Sequence, residues 1–266
     1  MAATGDYIIS GGSEGKARLN ILSAILQDPT RALLEANGLT TGTFFLDAGC
    51  GGGNVARMAA AIAGSNGKVT AIDFDSDIIA LNRKEAAGIG QPDFLAMSAY
   101  EIDYHNIYDI AYSRFLFSHL TAPERVLANM IRSVKPGGRI VVEDVQFSGH
   151  FCYPASTAFD QYVRLYIALA QLRGQDPEIG PRIYRLFLAA GLSDINFDVI
   201  QPAFSHGEGK WMAYLTLDRI KEQVISEQLS DEPAVRLLLQ QLETFTREEH
   251  SIISLPRIFR VSGTRS

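Results

Sequence analysis

The chain has 266 residues, is 47% hydrophobic, and sets 24 Lys and Arg against 30 Asp and Glu for a net charge of -6. That size and apolar content suit a globular protein with a sizeable core, and the acidic balance, without any run of basic residues, argues against nucleic acid as a partner. Neither a basic-then-apolar leader nor an apolar stretch of bilayer length is visible, and Cys50 and Cys152 form no disulfide framework or metal spacing, so a cytoplasmic, reduced protein is expected.

In chain order, residues 14–27 read as a helix, with Leu19, Leu22, Ile25 and Leu26 at helical spacing. Asp28-Pro29 reads as the cap and first position of a second helix that stops near Gly38. Short apolar runs at 43–47, 68–72, 93–97, 108–112 and 138–144 read as strands, with helices at 53–63, 76–87 and 122–134 between them. Lys135-Pro136-Gly137-Gly138 reads as a tight turn. This alternation predicts an α/β fold: a doubly wound, mostly parallel sheet with helices on both faces.

After residue 145 the rhythm changes. Residues 147–154 look like a loop, and 155–173 carry Phe159, Tyr162, Val163, Tyr166, Ile167 and Ala170 at helical spacing. A helix at 178–190 and a strand at 195–200 resume the α/β pattern. Residues 208–229 and 232–249 read as helices, and 251–264 as one final strand. The 146–177 insert and the 203–249 helices are expected to form a lobe over the open edge of the sheet.

The chemistry concentrates in FFLDAGCGGGNVARM, residues 44–58. The first strand should end at Asp47 and a helix should begin near Gly53. Glycines at 49, 51, 52 and 53 tighten the turn and let a ligand approach main chain. A dinucleotide fingerprint needs a third glycine at position 54, where Asn54 stands. Asp73, at the end of KVTAID and about 20 residues past the glycines, is placed to accept from ribose hydroxyls. Its alternative role is to cap the next helix, for which Asp75 or Ser76 is better placed.

LDAGCGGGNVA, VTAIDFDSDII, YDIAYSRFLFSHL and VKPGGRIVVEDV, in that order, resemble the class I S-adenosylmethionine-dependent methyltransferases, nearest the small-molecule branch of ubiquinone/menaquinone type. The resemblance covers roughly residues 40–145, with PRIFRVSGTR similar to the family's last antiparallel strand. It implies a seven-stranded sheet of order 3-2-1-4-5-7-6 with a helical cap. It also implies a helical cover at 1–40, a cofactor-binding core at 41–145, a helical insert at 146–177 forming part of the acceptor pocket, and completion of the sheet plus a lobe at 178–266.

Carried over by position, Asp47 and the turn with Gly49, Cys50, Gly51 and Asn54 hold the methionine part of S-adenosyl-L-methionine. Asp73 takes the ribose and Phe74 lies against the adenine. The adenine-contacting acid of the family is replaced here, leaving Ser98 and Ala99. Tyr7 and Arg18 belong to a covering segment, where Arg18 would pair with the cofactor carboxylate or lie solvated. Ser113 and Arg114 line the transfer site, with a surface ion pair as the other reading of Arg114.

Transfer to a small organic acceptor needs alignment above all; a base is needed only for a tightly held proton. His119 and His150 are the candidates for that base, and each could instead be a structural hydrogen-bonding group. No His/Cys cluster suggests a metal, so metal-independent transfer is expected. Tyr153, Tyr162, Tyr166 and Trp211 are candidate walls of the acceptor pocket, while Phe159, Tyr162 and Tyr166 also fit a helix's core stripe. Competing readings are a nicotinamide oxidoreductase, a non-catalytic S-adenosylmethionine-binding protein, and methylation of RNA or protein.

Overall fold

The computed structural model describes residues 12–88 and 90–266, with side chains described from Arg18 onward. Helix α1 (Gly12–Ala36) is one uninterrupted helix with Pro29 inside it, not two helices meeting at Asp28-Pro29. Leu22, Leu26, Thr30 and Leu34 are all buried and recur every four residues straight across the proline. Burying three leucines contributes roughly 1.5–3 kcal/mol each. A helical proline costs about 3 kcal/mol, so packing wins over the local stop signal.

Strands β1 (Phe44–Ala48), β2 (Lys68–Asp73), β3 (Asp93–Ala96), β4 (Tyr108–Arg114) and β5 (Val134–Gln146) are parallel neighbours. β7 (Ser193–Ile200) and β10 (Arg257–Thr264) complete the sheet, with β10 antiparallel to both β5 and β7. The order is β3-β2-β1-β4-β5-β10-β7; counting only this sheet's own strands, it reads 3-2-1-4-5-7-6. Val69, Ala71 and Ile72 of β2 are fully buried, as expected of a strand covered on both faces.

The end of α1, with α2 (Asn54–Ala63) and α3 (Ser76–Glu85), packs on one face around Phe45, Val55, Ala59 and Ile79. Helices α4 (Pro123–Ser133) and α6 (Gly180–Ala189) cover the other through Val126, Met130, Ile183 and Phe187. β5 starts four residues earlier than its apolar run. Its Lys135–Gly138 segment is a bulge inside the strand, between the pairings Tyr108↔Val134 and Ile110↔Arg139.

The last apolar run is two strands rather than one. β9 (Ile252–Ser254) joins β6 (Cys152–Tyr153) and β8 (Ala203–Phe204) in a small sheet of order β6-β9-β8. Leu255-Pro256 separates it from β10, since proline cannot donate to a ladder. Helices α5 (Thr157–Leu172), α7 (Met212–Ser226) and α8 (Glu232–Arg247) form a core of their own through Phe159, Leu169, Leu217, Leu238 and Leu242. This lobe stands over the carboxyl ends of the central strands rather than over a sheet edge. Its Tyr162, Tyr166 and Thr216 line the same cavity as Asp47 and Tyr112.

Candidate functional site

The cavity, about 190 Å³, lies between the carboxyl ends of β1, β2, β4 and β5, the first half of α1, and the lobe. Its floor is the glycine turn, with positive φ at Gly49, Gly51 and Gly53. The turn's main-chain donors are mostly spent internally. Gly49 and Cys50 donate to the Ile72 carbonyl, Gly53 to the Cys50 carbonyl, and Gly51 to Asp73 Oδ2, all at 2.9 Å. What the turn offers is therefore close approach. The N–H groups of Gly52 and Asn54, at the start of α2, have no acceptor among the described residues.

Two side chains brace the turn from behind. Arg57 Nη1 donates to the Gly52 carbonyl and Asn82 Nδ2 to the Gly51 carbonyl, each at 2.7 Å. Arg57 is in turn held by Asn82 Oδ1 and Glu85 Oε2. The turn therefore needs no ligand to keep its shape.

Asp47 faces the cavity, is almost wholly buried, and its Oδ2 accepts no hydrogen bond from the described residues. Burial pushes its pKa up to about 7; Arg114 pulls it down and the Asp73 charge adds to the rise. An ordinary carboxylate titrates near 4, so between about pH 4 and 7 the folded chain keeps a proton that the unfolded chain has lost. The ligand-free protein thus loses stability through this group as pH rises over that window. Asp73, also raised by burial, anchors the turn through Oδ2 and accepts from Asp75 N through Oδ1 at 3.0 Å. Asp75 is the α3 cap, accepting from Asp77 N and Ile78 N, which leaves Asp73 for the cavity.

Arg114 lines the cavity and makes no surface ion pair among the described residues. Its guanidinium donates to Thr30 Oγ1 at 3.1 Å and Ser23 Oγ at 3.4 Å, both on α1. Thr30 passes a hydrogen bond to Glu143 Oε2, which also accepts from the Tyr112 hydroxyl. This buried relay ties α1 to β4 and β5. Sequence reading missed it because Thr30, Tyr112 and Glu143 are far apart along the chain.

The upper half of the cavity has a different character. Phe147, His150, Tyr162, Tyr166, Met212 and Leu255 supply its apolar and aromatic walls. Phe147 stacks on Tyr166 at 3.8 Å between centroids and meets His150 edge-on. His150 Nδ1 lies 2.8 Å from the Phe147 carbonyl, which can only accept, so Nδ1 carries the proton. Burial lowers its pKa to about 4, so near neutral pH the ring is uncharged and Nε2 keeps a lone pair. Burial likewise lowers His119 to about 4, opposed by the Gln175 side chain and reinforced by Arg18. The 3-10 turn carrying His119 is tied down by Asp144, whose Oδ2 accepts from Ser118 N.

Of the residues singled out in the sequence, Arg18, Asp47, Gly49, Cys50, Gly51, Asn54, Asp73, Phe74, Arg114, His119, His150, Tyr162 and Tyr166 line this one cavity. Tyr7 lies outside the described residues. Arg18 turns toward the lobe, its Nε donating to Thr216 Oγ1 at 3.1 Å. Ser98 and Ala99 do not line the cavity. Ser98 forms a capping box with Glu101 at the start of a 3-10 turn, so its hydroxyl serves main chain. Ser113 is fully buried inside β4, one residue off the cavity-facing side that Tyr112 and Arg114 share. Tyr153 is 67% exposed, and Trp211 packs against Tyr214 and the Arg247 guanidinium; neither reaches the cavity. Among the described residues, no group of three or more His, Cys, Asp or Glu is placed to hold a metal ion.

A strand order of this kind, a glycine turn after β1 and acids at the ends of β1 and β2 define the architecture of class I S-adenosylmethionine-dependent methyltransferases. Residues 45–138 match the family model described as a methyltransferase domain. The ubiquinone/menaquinone biosynthesis C-methyltransferase UbiE of Salmonella arizonae is 27% identical over 136 residues, 50% of this chain and 53% of that protein. The chain therefore spans about half the length of the curated relatives it matches. Phosphoethanolamine N-methyltransferase 2 of Haemonchus contortus, solved with phosphomonomethylethanolamine and S-adenosylhomocysteine, superposes with a TM-score of 0.59 at 17% identity, covering 95% of this chain and 57% of that one. Geranyl diphosphate C-methyltransferase of Streptomyces coelicolor, solved with Mg2+, geranyl diphosphate and S-adenosylhomocysteine, gives 0.56 at 12%, covering 100% and 88%. Residues 45–138 thus carry a methyltransferase domain, on a fold shared with these solved methyltransferases.

Proposed function

We propose that the protein transfers a methyl group from S-adenosylmethionine to a small organic acceptor. The observation that carries this reading is the acidic lower half of the cavity. The buried Asp47 oxygen has no donor among the described residues, and Asp73 is fixed beside a turn that admits close approach. A buried carboxylate oxygen without a donor suits a cationic ligand. When bound there, S-adenosylmethionine supplies a methyl group already activated on a sulfonium. Asp47 and the turn would hold its methionine end, Asp73 its ribose and Phe74 its adenine. Arg114, held by Thr30 and Ser23, would favour the ionised form of Asp47 against the effect of burial.

The first half of α1 would cover the cavity through Arg18, Leu19, Leu22 and Ser23, and the 146–177 insert with the helices of 178–266 would supply the acceptor side. Proximity and exclusion of water there can supply roughly 7–11 kcal/mol of the barrier. His150 Nε2 is the candidate base, with His119 lining the same wall. Although a weak base, with a pKa of about 4, His150 keeps its Nε2 lone pair free near neutral pH to take a proton from an acceptor that still holds one. With such an acceptor, His150→Ala is expected to lower kcat by about 10²-fold or more while leaving S-adenosylhomocysteine affinity unchanged. A kcat within threefold of wild type would make His150 structural. Both cysteines are free, the state a reducing compartment maintains, and we place the protein in the cytoplasm on that basis. No described helix is long and apolar enough to cross a membrane.

Calorimetric titration with S-adenosylmethionine, S-adenosylhomocysteine and NADH tests the reading. Micromolar binding of the two adenosyl ligands and none of NADH is expected. Affinity should rise about tenfold between pH 6 and pH 8, because a cationic ligand needs Asp47 ionised and its pKa is about 7 in the free protein. Asp47→Asn should flatten that dependence. Absence of adenosyl binding would remove the proposal.

A further inference from the structure

The two halves of the cavity carry opposite electrostatics. The lower half presents Asp47, Asp73 and Asp75 against the single Arg114 guanidinium, which α1 holds through Thr30 and Ser23. The upper half presents one cation, Arg18, among groups that are neutral near pH 7. His119 and His150 are uncharged there, and burial raises the Tyr162 and Tyr166 hydroxyls, the latter to about 12. Arg18 spends its Nε on Thr216 Oγ1. Among the described residues no Asp or Glu lies within ion-pair distance of it, and its Nη groups have no acceptor. A guanidinium is always charged and presents five donors in a planar fork, so one that lines a cavity with no carboxylate partner of its own is an incomplete anion site.

Arg18 is also divided from the cofactor floor by its own helix. The next residues, Leu19 and Asn20, are the ones that touch the turn: Leu19 lies against Gly51, and Asn20 accepts from Asn54 Nδ2 at 3.1 Å. Arg18 points to α5 and α7 instead.

Resting on the methyltransferase reading, we infer that the acceptor is a small organic acid whose oxyanion binds the Arg18 guanidinium, with its apolar body against Phe147, Tyr166 and Met212. The charges then balance: a cationic donor over the carboxylates and an anionic acceptor against the one cation above them. Paired N–H donors on one oxyanion are the strong form of this contact.

Benzoate with benzamide, and hexanoate with hexanamide, are matched probes of equal shape and different charge. Each is titrated by ligand-observed NMR into the full chain, with and without saturating S-adenosylhomocysteine, for wild type, Arg18→Gln and Arg18→Lys. In the loaded wild type we expect each acid to bind at least tenfold more tightly than its amide. Arg18→Gln should reduce that ratio to within threefold, and Arg18→Lys should keep part of it. Affinity for S-adenosylhomocysteine should stay within threefold in both variants. Equal binding of acid and amide by wild type, no binding of either acid, or an unchanged preference in Arg18→Gln would overturn the inference. So would a tenfold loss of S-adenosylhomocysteine affinity in Arg18→Gln, which would return Arg18 to the cofactor. If S-adenosylhomocysteine fails to bind wild type, the methyltransferase reading falls, and the unloaded titrations still report on Arg18.

Discussion

Asp73→Ala is expected to weaken S-adenosylhomocysteine binding at least tenfold, or about 1.4 kcal/mol, in a protein that still folds. Two effects add. The substitution removes the acceptor proposed for the ribose hydroxyls. It also releases Gly51 N and Asp75 N, which the carboxylate holds at 2.9 and 3.0 Å, so the turn loses its tie to β2. Hydrogen bonds to a charged group are worth about 1.5–3 kcal/mol each, so the expected loss is conservative. Helix α3 keeps its own cap on Asp75, and the backbone around the site stays formed. Asp73→Asn keeps one carbonyl acceptor and should fall between the two. Calorimetry decides the point: near-wild-type affinity in the alanine variant would sink the ribose assignment.

A large stability effect is expected at Gly53, beside a position where almost none is expected. Gly53 has φ +74, and a Cβ there would lie 2.7 and 2.8 Å from ring carbons of Phe94, a buried residue of β3. The left-handed conformation costs a side chain roughly 1–2 kcal/mol, and overpacking adds about 1–3. Gly53→Ala should therefore lower the melting temperature by on the order of 10 °C. At Gly52 the φ is not left-handed and the nearest atom is 3.7 Å from a Cβ, so Gly52→Ala should shift stability by less than about 1 kcal/mol. Thermal unfolding of the two variants gives the comparison. Equal melting points would mean that the turn does not have this backbone.

Deletion of residues 146–177 would not isolate the acceptor side of the cavity. Helix α5 buries Phe159, Tyr162, Leu165 and Leu169 against α7 and α8. Its removal would open that core rather than remove a pocket alone. Substitution at single wall residues such as Arg18 and His150 keeps the core.

The central β/α alternation and the glycine-turn half of the cavity were legible because their determinants are local. A strand buried on both faces must be an apolar run, and a turn with positive φ at Gly49, Gly51 and Gly53 must be glycine-rich. The acids at the ends of β1 and β2 stand at fixed offsets from that turn. Ser98 had a local signature as well, though not of a ligand contact: with Glu101 three residues on it spells a capping box, which the structure forms at the start of a 3-10 turn.

The sequence by itself thus determined the α/β architecture, the glycine turn and the acidic residues beside it, since backbone conformation and periodicity write those into neighbouring positions. Tertiary structure alone decided that α1 runs through Pro29, that the final run splits at Leu255-Pro256, that Tyr153 and Trp211 miss the cavity, and that Arg18 faces Thr216. Each of these is settled by which distant surface a side chain can bury against or which distant atom it can pair with. The free energy of such contacts exceeds the local preferences, and their partners lie tens to hundreds of residues away.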